Sequence, residues 1–296
     1  MAENGPIGWR PSRALLALPP GLFVLVGALV PMAILVVFSL FRVEDLTLVP
    51  AISFDSWSKI FVDPLYRHLV GISLTYGLIT AALAGLFGYP LAIGIWRMSN
   101  TWKGVALIVL LTPLYTGDLM RLYAWRLVLG TEGLVNAFLL WIGIIHAPLK
   151  ILLFSPFAVH LVLFYDTLPF MVLGLLVSLE RIDRDLIEAS RDLGASPLDT
   201  FTRVILPLSI PGLAAGGFAV FALAAGDLLT PQLMGGTSGV TAMAMIDNLF
   251  GTAFDWPMAS ALAVALLVSL LACLVILGLA VSRLPPVQAV LRGGAR

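Results

Sequence analysis

Few side chains in this sequence can do chemistry, and they gather in two places. Thirty-four of 296 residues carry a formal charge, and ten of those fall in residues 180–203, ERIDRDLIEASRDLGASPLDTFTR. A sparser set stands in otherwise apolar stretches: Asp118 with Arg121, Asp166 within Phe164-Tyr165-Asp166-Thr167-Leu168-Pro169, and Asp227 ahead of Thr230 and Pro231. Charges in apolar surroundings are costly unless they face protein or water, so each is a candidate for binding. Carboxylates would draw a cation, and its ammonium groups could also rest on aromatic faces such as Tyr76 or Tyr165. A competing assignment pairs Asp118 with Arg121, three residues on along a helix, and lets Asp166 hydrogen-bond locally beside Pro169. His68, His146 and His160 share no metal-ligand spacing, and there is no phosphate-cradling G-x-x-x-x-G-K-[ST] loop. No catalytic and no metal-binding residue is therefore assigned.

The elements that must position these groups follow from composition. Sixty per cent of the residues are hydrophobic and mean hydropathy is +1.02. A water-soluble domain of this size cannot hide so much apolar surface. A single cysteine, Cys273, excludes an intrachain disulfide, and zero net charge without a basic tail gives no reason to expect nucleic acid. The class that remains is an all-α polytopic membrane protein whose first partner is the lipid bilayer.

Charges punctuate the apolar runs and set six spans, at 14–41, 69–96, 103–122, 151–179, 204–226 and 256–282. The first is too long for a signal-peptide core and lacks a clear cleavage site. The third is the least regular, because Asp118, Arg121 and Arg126 follow its apolar part closely. The stretch 134–145 is too short to cross and reads as an outer-face or re-entrant helix. Six spans place eleven Lys and Arg on the inner side and six on the outer, the expected bias, with both termini cytoplasmic. The organisation expected is a tail at 1–13, one transmembrane domain at 14–283 carrying a cytoplasmic loop at 180–207, and a tail at 284–296.

That loop has architecture of its own. Asp183 can cap a helix to about Leu193, and Gly194 stands where a helix ends in a left-handed residue. Ser196 can cap a second helix, with Pro197 at its first position and Asp199 at its third, close to a capping box. This second helix is expected to end at Leu206-Pro207. A simple solvated loop needs no caps, whereas a rigid two-helix unit can pass displacement from a soluble partner into spans four and five, which it joins.

Glu188-Ala189-Ser190, Gly194 four residues after Ser190, and the closing Ile205-Leu206-Pro207 resemble the EAA loop of permease subunits in bacterial ABC importers, with Ser190 for the third Ala and a shifted ending as departures. Residues 111–136, 226–236 and 248–261 resemble the spermidine/putrescine-type branch of those permeases. The resemblance implies a type I importer permease fold and transport by alternating access. It implies a second homologous permease, two ATP-binding cassette ATPase subunits and a periplasmic substrate-binding protein as partners. It puts the chain in a bacterial inner membrane, with ATP and magnesium on the ATPase and no cofactor on this chain. It assigns ATPase coupling to Glu188, Ala189, Ser190, Arg191, Gly194, Ala195, Ser196, Asp199, Leu206 and Pro207. Cargo-path roles for Asp166, Tyr165, Asp227, Asp118 and Tyr76 rest on residue chemistry and fit a polyamine. An ATPase-independent secondary transporter or channel would be expected to show inverted repeats, which are not apparent. An intramembrane enzyme built on Asp166 and Asp227 lacks a recognised catalytic context.

Overall fold

The computed structural model describes residues 13–44 and 47–283. The expected tails at 1–13 and 284–296 lie outside the described residues, apart from Arg13, which opens the first helix. Five long helices dominate: α1 (Arg13–Phe38), α3 (Pro64–Arg97), α7 (Pro156–Leu179), α10 (Leu206–Ala225) and α13 (Trp256–Ser282). Even α10, with 20 residues, reaches about 30 Å at 1.5 Å per residue, the thickness of a bilayer core. Five of the six expected spans thus stand as helices, with limits displaced by at most five residues.

Shorter elements connect them. A hairpin of β1 (Arg42–Glu44) and β2 (Thr47–Val49) leads into α2 (Asp55–Val62). The Arg42 guanidinium donates to Asp55, which ties the hairpin to α2 and holds that carboxyl below its usual value. Between α3 and α7 come α4 (Asn100–Tyr115), α5 (Asp118–Leu129) and α6 (Leu134–Trp141); between α7 and α10 come α8 (Arg184–Asp192) and α9 (Pro197–Thr200). After α10 follow α11 (Leu229–Met234) and α12 (Ala242–Gly251).

The centre is a three-helix contact of α3, α7 and α10. Glycine sets its closeness: a Cβ on Gly212 would stand 2.4 Å from the Gly174 carbonyl oxygen, and one on Gly174 would stand 2.9 Å from the Gly216 Cα. Lipid supplies no hydrophobic drive between helices, so such backbone-to-backbone contact is what holds a bundle. Outside this core, α1 runs along α13, with the Phe38 ring 6.2 Å from that of Trp256. Their other ends, Arg13 and Ser282, therefore share one side of the bundle. The start of α10 is on that side too, since Leu206 and Val281 line one crevice.

Two expectations are corrected. The third span is not one helix over 103–122. It breaks after Tyr115, and the chain direction turns by 99° before the α5–α6 unit. Pro113 removes a backbone donor just before the break, Gly117 precedes α5, and Arg121 takes up the carbonyls of Pro113 and Thr116 that the break exposes. The stretch expected at 134–145 as a short outer or re-entrant helix contains α6. The second loop helix also does not end at Leu206-Pro207. α9 passes through a π-helical turn (Phe201–Ile205) into α10, with the Leu206 N–H donating to the Phe201 carbonyl. The wider turn accommodates the missing donor of Pro207, so the loop is continuous with the span that follows it.

Candidate functional site

Asp166 is the eleventh of 24 residues in α7, so it stands near the middle of that crossing. Its position is met by the break between α4 and α5, which brings Asp118 and Arg121 inward, and by the end of α10, where Asp227 follows the last turn. Asp118, Arg121, Asp166 and Asp227 line one cavity of about 330 Å³, together with Phe170 and Thr230. Formal charges of three carboxylates and one guanidinium leave this cavity at −2.

Arg121 organises it. Its Nε faces Asp166 Oδ1 at 2.7 Å, and its Nη2 donates to Asp166 Oδ2 at 3.0 Å. Nη2 also donates to Asp118 Oδ1 at 2.9 Å, and Nη1 donates to the carbonyls of Pro113 (2.7 Å) and Thr116 (3.3 Å). The Nε–Oδ1 contact is an ion pair off the hydrogen-bond line, so electrostatics hold it. A cation on the last carbonyls of α4 is also favoured by that helix's dipole. The side chains of Arg121 and Asp166 are 13% and 12% exposed, against 69% for Asp118.

Asp227 is held differently. Its Oδ1 accepts from the Thr230 N–H at 2.8 Å, at the start of α11. Among the described residues no Lys or Arg forms an ion pair with it. The local pairing of Asp118 with Arg121 is thus present, while Asp166 reaches across 45 residues to the same guanidinium instead of bonding beside Pro169.

The aromatic candidates do not join the cavity. Tyr76 is buried between α3 and α7, with its ring 5.0 Å from that of His160. Tyr165 stacks edgewise on Trp125 at 5.4 Å. A residue that sequence reading passed over is Asn136, fully buried in α6. Its amide donates to the Gly130 carbonyl (2.9 Å), and its oxygen accepts from the Leu149 N–H (2.7 Å), which clasps the loop beyond α6. The only signal for it was an isolated amide in an apolar run.

At the opposite end, the 180–207 elbow folds as its residues dictate. Asp183 caps α8 by accepting from the Asp185 N–H, and Gly194 takes φ +80°, the left-handed conformation that a side chain disfavours. Ser196 and Asp199 form a full capping box, with Pro197 in the first turn of α9. The two helices are joined by a hydroxyl contact of Ser190 with Thr200 at 3.0 Å. Glu188 and Arg191 line a cleft on one flank with Arg97; Ala189, Ser190, Gly194, Ala195 and Asp199 line a cleft on the other. Leu206 and Pro207 open α10 rather than presenting a surface of the elbow. Leu193 is 89% exposed at the tip. Lys103 pairs with Glu180, and the Tyr89 ring meets that of Phe201 edgewise at 5.7 Å, so the elbow is tied to α4 and α3.

Comparison with known proteins supports a transport role. Over residues 212 long, the chain is 38% identical to the spermidine/putrescine transport system permease protein PotB of Escherichia coli K12, covering 72% of this chain and 76% of that one. The PotB protein of Haemophilus influenzae is 35% identical, covering 73% and 75%. In fold, the chain matches a bacterial ABC transporter that imports the acidic polysaccharide alginate. The TM-score is 0.70, at 19% identity, over 91% of this chain and 94% of that one. Residues 14–284 match the family profile described as binding-protein-dependent transport system inner membrane component. This chain belongs to that family and is a multi-pass permease of an ABC importer.

Proposed function

We propose that this chain forms half of a polyamine pathway across the bacterial inner membrane, driven by ATP hydrolysis on partner subunits. The observation that carries the cargo reading is the cavity at mid-membrane, where three carboxylates exceed one guanidinium by two charges. A diamine carries the two positive charges that match that excess, and the apolar walls suit its methylene segments. The names of the relatives point the same way.

The coupling reading rests on the elbow. A capped, glycine-turned unit continuous with α10 can carry a push into the helix that ends two residues before Asp227. The second permease completes the pathway, two ATP-binding cassette subunits dock on the elbow and carry ATP and magnesium, and a periplasmic binding protein delivers cargo. The elbow and both termini then face the cytoplasm. The transmembrane domain is one unit, 14–283. The family match favours an ABC importer over a secondary transporter, and the enzyme alternative gains nothing from the fold, since Asp166, half of any aspartyl dyad, is held by Arg121.

The test is uptake of radiolabelled putrescine and spermidine by cells lacking their own polyamine importers and expressing the complete system. Uptake that depends on the partner ATPase is expected. Absence of uptake for both amines would reject the cargo.

A further inference from the structure

Resting on the reading of the cavity as the cargo path, we propose a division of labour among its carboxylates: Asp166 is a positioning residue that holds the broken third span through Arg121, and the cargo ammonium groups are taken by Asp227 and Asp118. Three observations carry this. Both oxygens of Asp166 are already engaged by Arg121, and neither side chain is more than 13% exposed. A cargo cation would have to enter a closed ion pair to reach Asp166.

The guanidinium, second, is fully used. Four of its N–H groups donate hydrogen bonds and the fifth, on Nε, faces the carboxylate. Two of those bonds hold the carbonyls at the end of α4, so Arg121 is tethered at the break and cannot leave Asp166 without opening that turn. Third, Asp227 lines the same cavity with no cation of its own among the described residues, and Asp118 gives only Oδ1 to Arg121 and is 69% exposed, so its second oxygen stays open to cargo. The charge available to cargo is therefore that of Asp227 and Asp118, because Asp166 and Arg121 cancel.

Charge accounting supplies a test that a purely structural role would not move. Uptake of putrescine and of spermidine is measured in proteoliposomes with the complete transporter and saturating binding protein, and the ratio of the two rates is compared among variants. R121Q/D166N removes one charge of each sign and leaves the cavity at −2. D227N lowers it to −1. R121Q/D166N should keep the rate ratio within about twofold of the parent, with uptake recovered relative to R121Q or D166N alone. D227N should shift the ratio by about fivefold or more, the scale of about one unit of local charge. R121K, which keeps the charge without the fork, is the second variant if the double one does not accumulate. It should slow both amines alike and leave the ratio unmoved.

A shifted ratio in R121Q/D166N or R121K with an unshifted one in D227N would overturn the division while leaving the cavity as the cargo path. Parental rates and ratios in D227N, D118N and R121Q/D166N together would instead show that cargo does not pass this cavity, and the underlying reading would fail.

Discussion

Arg121 and Asp166, 45 residues apart, meet in a two-point ion pair that joins the start of α5 to the middle of α7. Removing one partner leaves the other charge buried, which typically destabilises by about 3–5 kcal/mol, whereas removing both is far milder. Purified transporter carrying Asp166→Asn should therefore melt at clearly lower temperature than the parent, and Arg121→Gln/Asp166→Asn should recover most of the loss. Equal melting of the single and double variants would show that the two side chains are not coupled.

The elbow gives a sharper prediction about backbone geometry. Gly194 is at φ +80°, and a β-branched residue there is strained by about 1–3 kcal/mol. Gly194→Val should insert normally yet lose most uptake, while Gly194→Asn, which tolerates the left-handed region better, should keep more. Glu188→Lys, at the cleft with Arg97 and Arg191, should also lower uptake at normal membrane levels. Normal uptake by both Gly194→Val and Glu188→Lys would remove the elbow from the transport cycle.

Packing of the central helices is tested at Gly212. A Cβ there meets the Gly174 carbonyl oxygen at 2.4 Å and the Ser178 side chain at 2.5 Å. The Gly174 backbone cannot yield and the Ser178 Cβ is fixed to it at 2.7 Å from the added atom, so Gly212→Leu should separate α7 from α10 and sharply reduce folded permease in membranes. Gly27→Leu in α1, where nothing lies within 4 Å of the added atom, is the matched control and should accumulate normally.

Asn136→Leu tests the clasp beyond α6. It removes the bonds of Asn136 to the Leu149 N–H and carbonyl, a loss of about 1 kcal/mol for each hydrogen bond, while the Gly130 carbonyl keeps the Gly133 N–H. Limited proteolysis in membranes should then cut within 142–155 faster than in the parent. An unchanged cleavage rate would mean that the loop is held by other contacts.

How much of this was legible in the sequence depends on range. The elbow was, because caps, the Gly194 turn and the Ser196–Asp199 box are encoded within three or four residues of one another. Long helices were legible from apolar length alone, and the pairing of Asp118 with Arg121 from helical spacing. The break after Tyr115 was not: Pro113 and Gly117 permit it, but proline also sits within α3 and α7, which run on through it. What decides is Arg121, which donates to the exposed carbonyls while reaching a carboxylate on another helix. The placement of Tyr76 and Tyr165 away from the cavity was equally hidden, since rotation of a nearly uniformly apolar helix leaves no periodic trace. The run-through of α9 into α10 was missed because Pro207 reads locally as a stop, and only a wider turn reveals how it is bypassed.

The proposed coupling is tested most directly by proximity. Cysteine placed at Leu193, on the exposed tip of the elbow, in a Cys273→Ser background, is labelled with a short thiol-reactive photo-cross-linker and irradiated in the assembled transporter. A cross-link to the ATPase subunit is predicted, with a yield that changes between ATP-bound and nucleotide-free states. A tip that never cross-links to the ATPase in either state, in a complex that still transports, would contradict the assignment of the elbow as the point where nucleotide energy enters this chain.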